Sequence, residues 1–326
     1  MNSRTAFRNT FKLINSERPV FIPFVYGLAA KLGQVPLSEM TSDASYYTHS
    51  LEDAYELFKY DGIVNTYDST VEAELFGCEL EWPEDYRAAR VMDCSHAKLR
   101  EVKPEESYRV QILLETTKRL VMSKGKDVAI IGTLIGPCSL VKTLTSDTER
   151  DSEDVIFLVG NVLKEMVKKL CELRVDAVFF REDILDKGYI DELQAHSKPY
   201  INIYTTLFNL TKFYSCSSAI IGKNLELKTI PELHQVVQPD AFILLGTNIG
   251  NDDMAYLAEL SSSLKLSFGL PLKVESPSEL KAKFTIFNQY IDKNRPSGFF
   301  YVSEGEIPYD MPLEILHELM AKIQNT

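Results

Sequence analysis

Short apolar runs alternate along the chain with longer stretches in which apolar residues recur every three or four positions. VFIPFV (20–25), GIVNTYD (62–68), DVAIIGTL (127–134), DAVFFRED (176–183), PYINIYT (199–205), SAIIG (218–222), AFILLG (241–246), LKLSFG (264–269) and GFFYVS (298–303) read as strands. Between them, residues 43–60 place Leu51, Ala54, Tyr55 and Phe58 at helical spacing. The run 151–173 reads as a long helix, and PLEILHELMAKIQ (312–324) closes the chain as another. Apolar strands alternating with helices predict an α/β fold with a parallel sheet covered on both faces. Two architectures satisfy that pattern, a (β/α)8 TIM barrel and an open doubly wound sheet. The candidate strands exceed the barrel's eight by one, so SAIIG or LKLSFG is expected to be an extra or edge piece.

The 326 residues exceed the roughly 250 typical of a barrel by an amount that loops can absorb. Residues 78–110, with Trp82, Pro83 and many charges, read as such an insertion. No internal repeat or low-complexity linker interrupts the pattern, so residues 1–326 are expected to form a single domain. Hydrophobic residues make up 45%, enough for a large core. Lys and Arg number 35 against 47 Asp and Glu, a net charge of -12 without a basic run. That balance argues against nucleic acid as a partner, and it repels polyanions unless a local basic pocket intervenes. No segment approaches the roughly 18 apolar residues of a membrane span, and the start lacks the apolar core of a secretory signal. The five cysteines contain no C-x-x-C, so reduced thiols in a cytoplasmic protein are expected.

In a barrel the chemistry sits where the strands end. The predicted ends carry Tyr26, Tyr67-Asp68, the 134–139 segment, Arg181-Glu182-Asp183, Tyr204, and Ser303 to Glu306. Asp68 has two readings, a cleft carboxylate or a cap for the helix beginning near Val71, because Asp-Ser-Thr is a good N-cap environment. Arg181, Glu182 and Asp183 follow an apolar strand and either bind a ligand or pair as a structural ion cluster. Cys94 and His96 alone do not make a zinc site, which needs three or four converging ligands, so they read as a surface loop. GTNIGNDD (246–253) could seat a phosphate on free N–H groups, but a turn with a helix cap is the simpler account.

The stretch YDGIVNTYDSTVEAELFGCELEWPED (60–85) resembles the uroporphyrinogen decarboxylase superfamily: a strand ending in Asp, a Glu-Ala-Glu-like segment, then Leu/Phe-Gly. ERPVFIPFVYG (17–27), GTLIGPCSL (132–140), ELRVDAVFFRED (172–183) and VSEGEIPYDMPLEIL (302–316) resemble further segments of that family, in order. The resemblance implies a (β/α)8 barrel with a deep cleft at the C-terminal ends of the strands. It also implies one of two chemistries. The decarboxylases need no metal or organic cofactor and use a cleft aspartate against the pyrrole N–H groups, with N-terminal arginines gripping the substrate's carboxylates. The methyltransferases bind zinc through His-x-Cys and a later Cys, and take methyl groups from a corrinoid.

Carried over position by position, the family aspartate is Asp68. The N-terminal arginines are missing, with only Lys31 in FVYGLAAKLGQVPLSEM (24–40). The family tyrosine falls near Thr143, its serine near Asp183, and its histidine on Gly305 between Glu304 and Glu306. The His-x-Cys falls on Asn202 and Tyr204, and the late Cys again on Gly305. No cofactor or metal is therefore expected; zinc and a corrinoid protein partner belong to the methyltransferase alternative. Arg181, Lys31 and Lys142 are few cations for a polycarboxylate, and each unmatched acid beside a bound carboxylate costs about 1 kcal/mol or more. The expectation is a divergent enzyme acting on a small ligand, carboxy-lyase-like first and methyltransferase-like second. Asp68 is its catalytic group; Tyr26, Tyr67, Thr143, Arg181, Glu182, Asp183, Tyr204, Glu304 and Glu306 line its site. A non-catalytic ligand-binding barrel is the third reading, and a homodimer is compatible with the family.

Overall fold

The computed structural model describes residues 1–16, 18–97, 99–145, 153–183, 198–294 and 296–324. Eight parallel strands run in the order β1 (Phe21–Phe24), β10 (Phe299–Glu306), β9 (Ser267–Leu272), β8 (Ala241–Leu245), β7 (Ser217–Lys223), β6 (Ala177–Glu182), β5 (Ala129–Ile135) and β2 (Gly62–Val64). The two ends of this order meet, because the Asp61 N–H donates to the Phe21 carbonyl at 2.9 Å. The result is an α/β barrel ringed by helices. Apart from it, β3 (Glu79–Glu81) and β4 (Arg90–Asp93) form an antiparallel hairpin inside the predicted insertion.

The strands are apolar because both of their faces are covered, and Phe21, Phe179, Phe242, Phe268 and Phe300 are all buried. Aspartates pin the N-terminal rim. Asp61, Asp176 and Asp240 each precede a strand and accept an N–H from the first two residues of the neighbouring strand: Phe21 at 2.9 Å, Ile130 at 3.1 Å and Ser218 at 2.8 Å. The helix α1 (Ser3–Phe11) closes this end, with the Phe11 ring 6.2 Å from Phe179 and 5.2 Å from Phe300.

Of the nine candidate strands, the extra one is PYINIYT. It lies in a helix, Lys198–Phe213, while SAIIG and LKLSFG both contribute barrel strands. The buried residues Tyr200, Ile203, Tyr204, Leu207, Phe208 and Thr211 show the reason. Their spacing is helical, but a seven-residue window captures only its beginning. Residues 151 and 152 of the predicted long helix lie outside the described residues; the helix is described from Glu153 to Glu172. Asp43 caps α4 (Ala44–Phe58), accepting from Ser45 and Tyr46. Cys78 and Cys94 form a disulfide across the base of the hairpin, where reduced thiols were expected. The two sit next to the paired residues Glu79 and Asp93, a proximity that a sequence separation of 16 conceals. Among the described residues no helix is long and apolar enough to cross a membrane.

Candidate active site at the C-terminal rim

The chain leaves β2 through Asn65, whose amide accepts from Thr133 N–H at 2.9 Å and donates to the Thr117 hydroxyl at 3.0 Å. This fixes the approach to Asp68. One Asp68 oxygen accepts from the Thr70 N–H at 2.8 Å and the Thr70 hydroxyl at 2.7 Å, a turn that opens the short helix α5 (Val71–Leu75). The other oxygen takes the Arg109 Nη2 and, at 3.4 Å, the Tyr26 hydroxyl. The Asp68 carboxylate has no exposed surface. It was expected to open into the cleft; instead Arg109 covers it, and it also serves the helix start.

Arg109 belongs to α6 (Tyr108–Ser123), reached through the insertion. Its Nη1 donates to the Thr70 hydroxyl at 3.1 Å and to Glu74 at 3.0 Å, and its guanidinium lies 4.7 Å from the centroid of the Trp82 ring. Burial works against its charge, yet Asp68, Tyr26 and Glu74 hold its pKa above the ordinary value. Sequence reasoning missed Arg109, because an arginine in an amphipathic helix carries no local mark of its partner. Glu72, in the Glu-Ala-Glu segment, is buried with one oxygen lacking a partner, and burial pushes it up to about 8.

The three charges after Val178-Phe179-Phe180 separate by strand alternation. Glu182 turns into the protein, where it accepts from Cys138 N–H at 3.1 Å, Ser139 N–H at 2.9 Å and the Tyr204 hydroxyl. It thereby caps α7 (Pro137–Leu144). Gly136 makes room for it, since a Cβ there would lie 2.1 Å from the Glu182 carboxyl carbon. Burial pushes Glu182 up to about 7. Tyr204 reaches this cluster from its helix, with its hydroxyl 3.3 Å from Cys138 Sγ. Arg181 faces the rim. It lies 4.6 Å from the Tyr67 ring centroid and donates to the Tyr67 carbonyl at 3.2 Å and to Asp183 at 3.1 Å. Tyr67 in turn stacks on Phe24 at 4.5 Å.

β10 supplies the remaining acids. Glu306 accepts the Gly27 N–H at 2.6 Å. Burial pushes Glu306 up to about 7; Asp68 adds to the rise and Arg181 opposes it. Glu304 accepts the Gly246 N–H, and burial raises it too. The rim thus gathers Tyr26, Tyr67, Asp68, Arg181, Asp183 and Glu306, with Glu182 and Tyr204 forming a second, interior cluster. The Thr143 hydroxyl bonds back to Ser139 O at 2.8 Å within its own helix. Lys31 and Lys142 are exposed. The Gly250 N–H is taken by Asp253 at 2.8 Å, which makes residues 246–253 a capped turn.

Among the described residues the zinc set of the methyltransferases finds no counterpart. Asn202 and Tyr204 lie on a helix, β7 carries neither His nor Cys, and His96 is an exposed loop residue. Among the described residues no three His, Cys, Asp or Glu side chains converge as metal ligands; His196 lies outside them.

Residues 7–179 match the family model described as uroporphyrinogen decarboxylase (URO-D). With the barrel and its rim aspartate, this places the chain plainly: it belongs to the uroporphyrinogen decarboxylase family. Two similar relatives are methylcobamide:CoM methyltransferases MtbA from Methanosarcina acetivorans and Methanosarcina mazei, 28% and 27% identical over 114 residues. These alignments span 33% of this chain and 34% of each relative, about a third of their length. Among solved structures, a methyltransferase from Methanosarcina mazei superposes with a TM-score of 0.79 over 100% of this chain and 99% of its own, at 12% identity. A B12-independent methionine synthase from Shewanella sp. W3-18-1 gives 0.54 over 86% of both chains at 14% identity. At such identities the likeness is one of fold.

Proposed function

We propose that the chain is a divergent enzyme of this superfamily that acts on a small ligand of low negative charge by proton transfer and electrostatic stabilisation at the rim. In this reading Glu306 is the titrating carboxyl and the Asp68–Arg109 pair is the fixed charge behind it. Arg181, held on Tyr67, supplies a cation beside the ligand. The observation that carries the reading is the contrast between two neighbouring carboxyls. Asp68 is charge-compensated by Arg109, whereas Glu306 accepts the Gly27 N–H at 2.6 Å, pairs with no cation among the described residues and is pushed up to about 7 by burial. Carboxyls whose environments differ in this way divide the roles of fixed charge and proton carrier. A substrate bearing many carboxylates would meet Glu304, Glu306 and Asp183 with Arg181 as the nearby arginine that faces the rim, so the standard tetrapyrrole is a poor candidate.

The test is a calorimetric and turnover screen of small pyrroles, cationic compounds and methyl acceptors, with no cofactor added. Binding or turnover that Glu306→Gln and Asp68→Asn both remove supports the reading. Ligand turnover that is unchanged in both variants overturns it. The curated relatives favour a second reading, methyl transfer from a methylcobamide to a thiol. It is assayed with a methylated corrinoid donor and a small thiol, with and without added zinc.

A further inference from the structure

We propose that residues 78–94 form a strap over the candidate site, locked by the Cys78–Cys94 disulfide and released when that bond is reduced. The proposal builds on the rim reading above, which makes Glu306 and the Asp68–Arg109 pair the groups worth covering.

Three observations converge on the hairpin. Its two strands pair only with each other, stand apart from the barrel sheet and are largely exposed. A two-stranded hairpin of this kind is marginal without outside support. The disulfide joins its ends, one residue before Glu79 and one after Asp93, which are paired. Its middle then touches the site at two places. Trp82 lies under the Arg109 guanidinium that holds Asp68. The Tyr86 carbonyl packs against Gly27 so closely that a Cβ there would lie 2.1 Å from it and 2.9 Å from Glu306 Oε1. The Tyr86 ring rests on Tyr309 at 5.4 Å. One covalent bond thus holds a weak element across both the fixed pair and the titrating carboxyl.

The chemistry is thiol–disulfide exchange with a dithiol reductant. Cys78 is buried and Cys94 is half-buried, so the donor thiolate attacks the Cys94 sulfur. A mixed disulfide forms, the Cys78–Cys94 bond breaks, and the Cys78 thiolate takes a proton. The donor's second thiolate then displaces Cys94, which takes another proton. The protein gains two electrons and two protons, and the donor leaves as its cyclic disulfide.

Trp82 is the chain's one tryptophan, so its emission reports on the strap without any substrate. The full-length protein is compared before and after dithiothreitol, by thiol titration under denaturing conditions and by acrylamide quenching of Trp82. Expected are a rise from three free thiols to five, a red shift, and stronger quenching, with the far-ultraviolet circular dichroism of the barrel kept. Cys78→Ser/Cys94→Ser should show the shifted, more quenchable emission without reductant and no response to it. Should that variant lose the barrel signal, the wild-type comparison alone decides. Glu306→Gln should respond as wild type does, so failure of the rim reading leaves this result standing. Five free thiols in protein exposed to a mild oxidant, or a disulfide whose reduction leaves Trp82 unchanged, would overturn the proposal.

Discussion

The Asp68 carboxylate and the Arg109 guanidinium pair in the interior, between the exit of β2 and the first turn of α6, with no exposed surface left on the carboxylate. Removing one partner of a buried pair leaves the other's charge uncompensated, which costs about 3–5 kcal/mol. Arg109→Met is therefore expected to lower the free energy of unfolding by roughly that amount. Asp68→Asn/Arg109→Met should recover most of the loss. Urea denaturation of wild type, Arg109→Met and the double variant measures it, and a double variant no more stable than Arg109→Met would show that the pair is not the cause.

Glu72 gives the protein a pH-dependent weakness. Its carboxyl is held at about 8 in the fold against an ordinary value of 4.5. Between those values the folded protein keeps a proton that the unfolded chain releases. Stability attributable to Glu72 is thus intact below the ordinary value, falls as pH rises through the window, and levels off above about 8. The slope is at most about 1.4 kcal/mol per pH unit. Glu182 and Glu306 act in the same direction up to about 7. Glu72→Gln should gain on wild type as pH rises to 8.5 and not at pH 4, and its unfolding curve should flatten most clearly above pH 7. Denaturation midpoints across that range decide it. A variant that tracks wild type throughout would place Glu72 in a hydrated setting.

What could be read in advance divides along a physical line. Period-two and period-3.6 patterns are local, so eight barrel strands, the helix over 43–60 and the closing helix were legible. PYINIYT failed because its window was shorter than two helical turns. Asp68 was legible as a rim residue, but its exposure was not, since burial depends on Arg109, forty-one positions later. Glu182 and Arg181 are adjacent in sequence and opposite in role, one capping a helix and the other facing the rim. Only the strand's alternation separates them, and its phase is set by tertiary packing. The Cys78–Cys94 pairing needed the hairpin register, which no spacing of scattered cysteines contains.

Gly27 offers a test of the strap that involves no redox chemistry. Its N–H holds Glu306, and the Tyr86 carbonyl occupies the place of its missing Cβ at 2.1 Å. The clash is with backbone, so the hairpin must move if a methyl group is added. Gly27→Ala is expected to destabilise the fold by about 1–3 kcal/mol and to shift Trp82 emission in the direction seen on reduction. Fluorescence and urea midpoints check both. Wild-type emission in a destabilised variant would mean that the clash is absorbed within α2 (Gly27–Leu32) instead.

At the opposite end of the barrel, Asp176 has a carboxylate with no exposed surface that accepts Arg4 Nε at 2.9 Å, Arg8 Nε at 2.8 Å and the Ile130 N–H at 3.1 Å. The two arginines are redundant and partly exposed, so losing either leaves one cation in place. Arg4→Ala or Arg8→Ala alone should cost about 1 kcal/mol or less. Losing both strands a buried carboxylate and frees α1 from the rim it closes, which raises the cost to about 3–5 kcal/mol. The double variant is thus expected to exceed the sum of the single ones, an interaction that a mutant cycle in chemical denaturation reads directly. The excess should disappear in an Asp176→Asn background, where no charge remains to be stranded. Simple additivity in the aspartate protein would mean that water, rather than arginine, compensates Asp176.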